Sequence, residues 1–382
     1  MYAKTTRQGK ALLSLGIVSA MLAAGAGSAY SQVQVALSPG KTAAPSPISA
    51  GEQAATSPDG PIQGPVLGYT FDPSRGALHP IRGILGSSYV ADPLSLGFSV
   101  RVAAVSSRHN YVLAVDNVSG EVKVVDVTVF PVETTPVPGA GGADRIVLSP
   151  RGDTAALYDR GRRTIQFISG LPANPSVAGA VDLSSLDGVI TAFAISDDGE
   201  VSLVATSGRG GGSVYTVKTG QDPRPIISVG RVLAMAFVER SHDAVIADYD
   251  KNEVLLVQQA GGNAQPVSLA SGNDGIVHPN AIVATADGRR ALVASSDSRR
   301  IAFVPLNGGP TEFVSCGCKP TTLARLNGNA AFQLTSESGQ PLFVLDASRA
   351  EARILFVPPN QPSEPSGDPA PRRAPAAARS AR

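Results

Sequence analysis

Two cysteines, four histidines and no tryptophan in 382 residues leave the chain short of the residues that metal and redox chemistry most often use. Two cysteines cannot staple a chain of this length, so a large apolar core has to hold it together. A formal net charge of +1 removes the dominant basic field that nucleic-acid binding needs, so no nucleic-acid partner is expected. Beyond the first residues no apolar run approaches the roughly 20 residues of a membrane span, so the mature chain is expected to have none. His79, His109, His242 and His278 are scattered without the close spacing of zinc or copper ligands, and neither a metal site nor a cofactor is expected.

What is present begins with a basic head, MYAKTTRQGK, followed by the apolar run ALLSLGIVSAMLAAGAG and small residues. This reads as a secretory signal peptide over residues 1–31, too short for a comfortable span and placing the protein in the periplasm or outside the cell. Residues 32–65 are rich in proline, alanine and serine and read as a flexible spacer. The signature returns in residues 359–382, PNQPSEPSGDPAPRRAPAAARSAR, with four arginines in a solvated tail. The folded part is residues 66–358.

Inside it one pattern recurs, as in VAAVSSRHNYVLAVDNVSGEVKVVDV, FAISDDGEVSLVATSGRGGGSVYTV and AIVATADGRRALVASSDSRRIAFVPL. An apolar strand, a polar turn, a valine- and alanine-rich strand, a second turn and a third strand precede a more polar fourth strand. Short strands bounded by Gly, Asp, Asn and Ser are antiparallel hairpin material. The turn residues Asn110, Gly152, Gly199, His242, Gly288 and Gly328 return at roughly 40 to 47 residues, the period of four-stranded propeller blades. Radial stacking would cover both apolar faces of each sheet. The expectation is an all-β propeller of four-stranded antiparallel blades. Before Arg101, VLGYTFDPSRGALHPIRGIL reads as the last two strands of a further blade, giving seven blades, or six if that unit packs onto an existing one.

The strings LAVDNVSGEVKVVDV, PNAIVATADGRRALVASSDSRRIAFVPL and VIADYDKNEVLLV resemble the repeats of exported bacterial propellers of the YVTN, NHL and lactonase-like group. The LGYTFD start is also similar to uncharacterised secreted propellers of environmental bacteria such as acidobacteria. The Trp-Asp signature of WD repeats and a regular kelch Gly-Gly pattern are both missing. The resemblance implies fold more than activity. A lactonase-type hydrolase would hold a metal in the channel with acidic and amide side chains, yet the inner strands offer almost no carboxylates and only Asn280 is well placed.

Ligands of such a fold sit at the channel or on the loops leading from each outer strand to the next inner strand. Candidates there are Arg101, Arg145, Arg231, His278, Asn280 and Lys319, the three arginines forming a partial cationic ring if they converge. His109 and His242 read as exposed polar fillers of turns. Asp116, Asp159, Asp248 and Asp297 read as acids that accept the hydrogen bonds of their own turns. Cys316 and Cys318 flank Gly317, whose flexibility makes an intraloop disulfide accessible; two buried thiols or a redox pair are the alternatives. The functional expectation is a non-catalytic binding or scaffold module for an envelope protein or an anionic small molecule, with no catalytic residue assigned. A channel-site hydrolase and a thiol-disulfide role are the alternatives.

Overall fold

The computed structural model describes residues 64–335 and 341–359. The signal peptide, nearly all of the spacer and the tail lie outside the described residues. Blade 1 is β1 (Val66–Asp72), β2 (Ala77–Ile84) and β3 (Ser87–Val90). Blade 2 is β4 (Val100–Val105), β5 (Tyr111–Asp116), β6 (Glu121–Asp126) and β7 (Glu133–Gly141). Blade 3 is β8 (Arg145–Leu148), β9 (Ala155–Asp159), β10 (Thr164–Ser169) and β11 (Ser176–Asp182). Blade 4 is β12 (Val189–Ile195), β13 (Ser202–Gly208), β14 (Gly211–Val217) and β15 (Arg224–Val229). Blade 5 is β16 (Val232–Phe237), β17 (Ala244–Asp248), β18 (Glu253–Gln258) and β19 (Gln265–Ala270). Blade 6 is β20 (Ala281–Ala284), β21 (Arg290–Ser295), β22 (Arg300–Pro305) and β23 (Glu312–Ser315). Blade 7 is β24 (Ala324–Arg325), β25 (Ala331–Gln333), β26 (Leu342–Asp346) and β27 (Arg353–Val357).

Each sheet runs in sequence order and is antiparallel, so the molecule is a seven-bladed β-propeller. The second strands explain the stacking. Tyr111–Asp116, Ala244–Asp248 and Ala331–Gln333 are buried at every position, because blades cover them on both faces. Apolar clusters fill the spaces between blades, such as Leu203, Val214, Phe237 and Ile246 between blades 4 and 5.

Blade 1 departs from the expected four strands. β1 has the features of a second strand, not of the penultimate strand that the sequence suggested. Asp72 takes the hydrogen bonds of Ser74 in the turn to β2, as Asp116 takes those of Val118 and Ser119 after β5. The innermost strand of this blade is missing among the described residues, and β1 itself lines the channel. The ring closes by packing. Leu67, Ile81 and Val90 of blade 1 share a cluster with Leu326, Leu342, Val344 and Val357 of blade 7. One parallel bridge, Val90 to Pro359, is added at the outer edge, with Val90 N donating to the Pro358 carbonyl at 2.9 Å.

Candidate functional site

Antiparallel order puts the first-to-second and third-to-fourth strand turns on one face, and the second-to-third turns and blade-to-blade connections on the other. The latter is called the connection face. Around the axis, the channel is a cavity of about 570 Å³ lined by inner-strand residues such as Ala104, Val147, Ile195, Phe237 and Val283, with Arg325 its one charged residue among those described. Its other polar side chains are the hydroxyls of Thr70, Ser107, Ser149 and Thr322 and the amide of Gln333, together with the Tyr69 ring. A calcium-type cation wants six or more oxygens, so this set does not fit the channel metal of the lactonase resemblance.

The three arginines do not line the channel. Arg101 donates to the Ala143 carbonyl at 2.8 Å and Arg145 to the Thr191 carbonyl at 2.9 Å, each reaching the entry of the next blade. They act as brackets between blades. Asn280 is likewise committed: its Nδ2 donates to the Pro320 carbonyl at 3.2 Å while its Oδ1 accepts from Ser296 N at 2.7 Å.

Arg231, His278 and Lys319 come together instead on the connection face of blades 5 to 7. The Arg231 guanidinium lies 4.6 Å over the Tyr249 ring and pairs with Asp250 at 3.1 Å. Tyr249 stacks on His278 with ring centroids 4.6 Å apart and planes 12° from parallel. His278 Nδ1 lies 2.7 Å from Asp297 Oδ2, and the Tyr249 hydroxyl donates to the same oxygen at 3.2 Å. A carboxylate can only accept here, so Nδ1 carries the proton and Nε2 is left for solvent or a ligand. The donations from His278 and Tyr249 hold Asp297 below the usual carboxylate range, with Lys319 adding to the effect. Loss of solvent, followed by the bond to Asp297, pushes the Tyr249 hydroxyl up.

Local sequence explains how His278 is delivered. Ser271 caps the short 3-10 turn Gly272–Asp274, Gly275 reverses the chain at φ 91 against the Phe313 ring, and the backbone amide of His278 donates to Asn252 Oδ1 at 2.7 Å. His278 itself sits at φ 42, immediately before Pro279. Next to it, Cys316 and Cys318 are joined as a disulfide with Cα atoms 4.9 Å apart. They form the loop that presents Lys319, and the same loop supplies the Pro320 carbonyl to Asn280 and to the Ser296 hydroxyl.

Asp297 is a correction to the turn reading. Asp116, Asp159 and Asp248 do accept amides of their own turns, but the corresponding residue of blade 6 is Ser295, which accepts from Ser298 N. Asp297 is two residues further on, matching Asp250, which frees it for His278. The signal was the paired pattern of a basic residue just before an inner strand and an aspartate in the same blade's later turn.

Two histidines read as exposed fillers are placed otherwise. His109 is 9% exposed, packed beside Gly68, because glycine there leaves room for the ring. His242 Nε2 lies 2.7 Å from Asp198 Oδ2 on the opposite face, with Glu200 close by.

The fold and this patch define a β-propeller with a polar, aromatic-stacked surface on its connection face. No family model matches the chain, and no curated protein matches it. Among solved structures, the chain is similar to a protein of unknown function from Desulfotomaculum acetoxidans, at 14% identity and a TM-score of 0.57 over 78% of this chain and 100% of that one. A second similarity, to hydrazine synthase of Kuenenia stuttgartiensis, has 13% identity and a TM-score of 0.47 over 80% of this chain and 99% of that one. The first likeness supports the propeller fold alone. Among the described residues no helix is long and apolar enough to cross a membrane.

Proposed function

We propose that the chain is an exported, non-catalytic binding module whose recognition surface is the patch of Arg231, Tyr249, His278, Asp297 and Lys319, and whose ligand is a small molecule carrying a carboxylate or phosphate. The observation that carries this reading is the backbone of His278. A residue before proline is normally driven to extended conformations, and φ 42 in a non-glycine residue costs on the order of 1 kcal/mol or more. The strain places an imidazole on the surface with Nε2 open, where it adds nothing to the core. Lys319 on its disulfide-closed loop and Arg231 at the far end of the stack supply the attraction for an anion.

Export is supported by the first residues and suits a chain whose cysteines are paired. The repeat strings support placing it with the YVTN, NHL and lactonase-like propellers, and the patch is equally open to an acidic group on an envelope protein. The test is thermal unfolding of the purified chain with citrate, inorganic phosphate or glycerol added. The anions should raise the midpoint in a salt-sensitive way, glycerol should not beyond its general solvent effect, and His278→Ala and Lys319→Gln should each remove the rise. Equal midpoints with and without anions, or an undiminished rise in both variants, would overturn the reading.

A further inference from the structure

The face opposite the connections carries a second cluster, drawn from two blades. Asp198 and Glu200 lie in the turn between β12 and β13, and His242 in the turn between β16 and β17. One donor atom from each, two carboxylate oxygens and an imidazole nitrogen, lies within 4.8 Å of the other two. A tetrahedral zinc ion with bonds of about 2.0–2.2 Å would set such donors about 3.4 Å apart, so the Asp198 Oδ2–His242 Nε2 pair, now 2.7 Å apart, would open by about 0.7 Å and a pair at the outer limit would close by about 1.4 Å, shifts that side-chain rotation supplies.

The equivalent turns of other blades act as an internal control. In blade 6, Thr285 Oγ1 and Arg289 N donate to Asp287 Oδ1 at 2.6 and 3.1 Å, and in blade 4 Ser196 Oγ and Glu200 N donate to Asp198 Oδ1 at 2.6 and 3.0 Å. The backbone job of the aspartate is therefore the same and needs only Oδ1. The charge differs. In blade 6 the position two residues after the aspartate is Arg289; in blade 3 the two positions are Arg151 and Asp153, which pair at 3.5 Å. Blade 4 instead has a carboxylate at both positions, Asp198 and Glu200, with no arginine between them, and the neighbouring blade brings an imidazole. His242 also requires a missing side chain opposite it, since a Cβ on Gly261 would come within 3.2 Å of its Nδ1 and 2.6 Å of Val201.

We infer that Asp198, Glu200 and His242 form a binding site for a late first-row divalent cation of the zinc type, clamping blade 4 to blade 5 and leaving the outer coordination positions open. Asp198 binds through Oδ2, Glu200 through a carboxylate oxygen and His242 through Nε2. The imidazole is what selects zinc over calcium or magnesium, which prefer oxygen alone. Ser196 is a positioning residue: its hydroxyl holds Oδ1 so that Oδ2 faces the ion. The site is independent of the anion patch, which lies on the other face.

The test is calorimetric titration of the full chain, after dialysis against a chelator, with zinc chloride and separately with calcium chloride. One equivalent of zinc should bind, with calcium far weaker. His242→Ala and Glu200→Gln should abolish this binding while each variant still unfolds in a single cooperative transition without metal. Ser196→Ala should weaken zinc by about tenfold. Absence of zinc binding to the unaltered chain overturns the site, as does zinc binding that His242→Ala leaves intact, which would assign it to another histidine.

Discussion

His109 and Arg325 are 216 residues apart and meet at 3.1 Å, the imidazole Nε2 facing the backbone carbonyl of Arg325 across β1. Blade 2 is thereby tied to blade 7 over the top of blade 1. The carbonyl accepts, so Nε2 carries the proton and the buried Nδ1 has no hydrogen-bond partner. Burial pushes the His109 pKa down, and the nearby Arg325 charge adds to this, although the carbonyl bonds oppose it. The folded value lies below the unfolded value of about 6.5, so the contribution to stability is complete above that pH and is lost as pH falls below it. The urea midpoint is expected to decline from about pH 6.5 downward, and His109→Gln should flatten that decline.

The same seam makes Gly68 indispensable. A Cβ there would come within 2.6 Å of the Leu326 side chain and 3.3 Å of the His109 ring. Gly68→Ala is expected to destabilise the fold by about 1–3 kcal/mol through overpacking, measured by denaturant unfolding. Gly210→Ala, with nothing near its Cβ position, is the matched control.

Because blade 7 supplies most of the closing cluster, removing it should cost more than its share of the sheet. A chain ending before Pro320 is expected to lose its single sharp unfolding transition, since Leu67, Ile81 and Val90 are left uncovered. Calorimetry checks this; a retained cooperative peak would mean that the blades stack without needing closure.

At lower pH a second loss follows. Arg353 and then Ser348 hold Asp346 down to about 2, and Lys123 with the Val118 amide does the same for Asp116. Both values are depressed, so the stability they carry is present above the unfolded carboxylate value of about 3.9 and disappears as pH falls through about 2. Asp346→Asn should lower the neutral-pH melting temperature and weaken this acid limb, which a melting series from pH 5 to about 2 would show.

The period of the repeats made the blades legible, because the second strand of a blade buries both faces and so spells its position in valine and alanine. β1 was harder. Its run LGYTFD carries the burial of a second strand, and nothing in the local text says that no strand precedes it in this blade among the described residues. On the connection face, Arg231, His278 and Lys319 could be picked out because the loops that hold them recur. Their grouping could not, since it depends on the Tyr249–His278 stack, which joins blade 5 to blade 6. Asp198 and His242 meet for the same reason, being 44 residues apart in chain and neighbours only through blade packing.

The three-stranded first blade also bears on self-association. Among the described residues β1 pairs with β2 alone as a strand; apart from the Leu67 carbonyl, which accepts from Asn327 N at 2.8 Å, and the Val66 carbonyl, which accepts from Asn327 Nδ2 at 3.3 Å, its other edge has no strand partner of the kind that would cover it. That edge faces the bore, where a second folded copy cannot reach it. Three of the outer strands that copies can reach are broken by proline, Pro136 and Pro138 in β7, Pro225 in β15 and Pro266 in β19, none of which has an amide hydrogen to offer, whereas β3, β11, β23 and β27 carry none. Strand pairing between copies is thereby blocked at blades 2, 4 and 5.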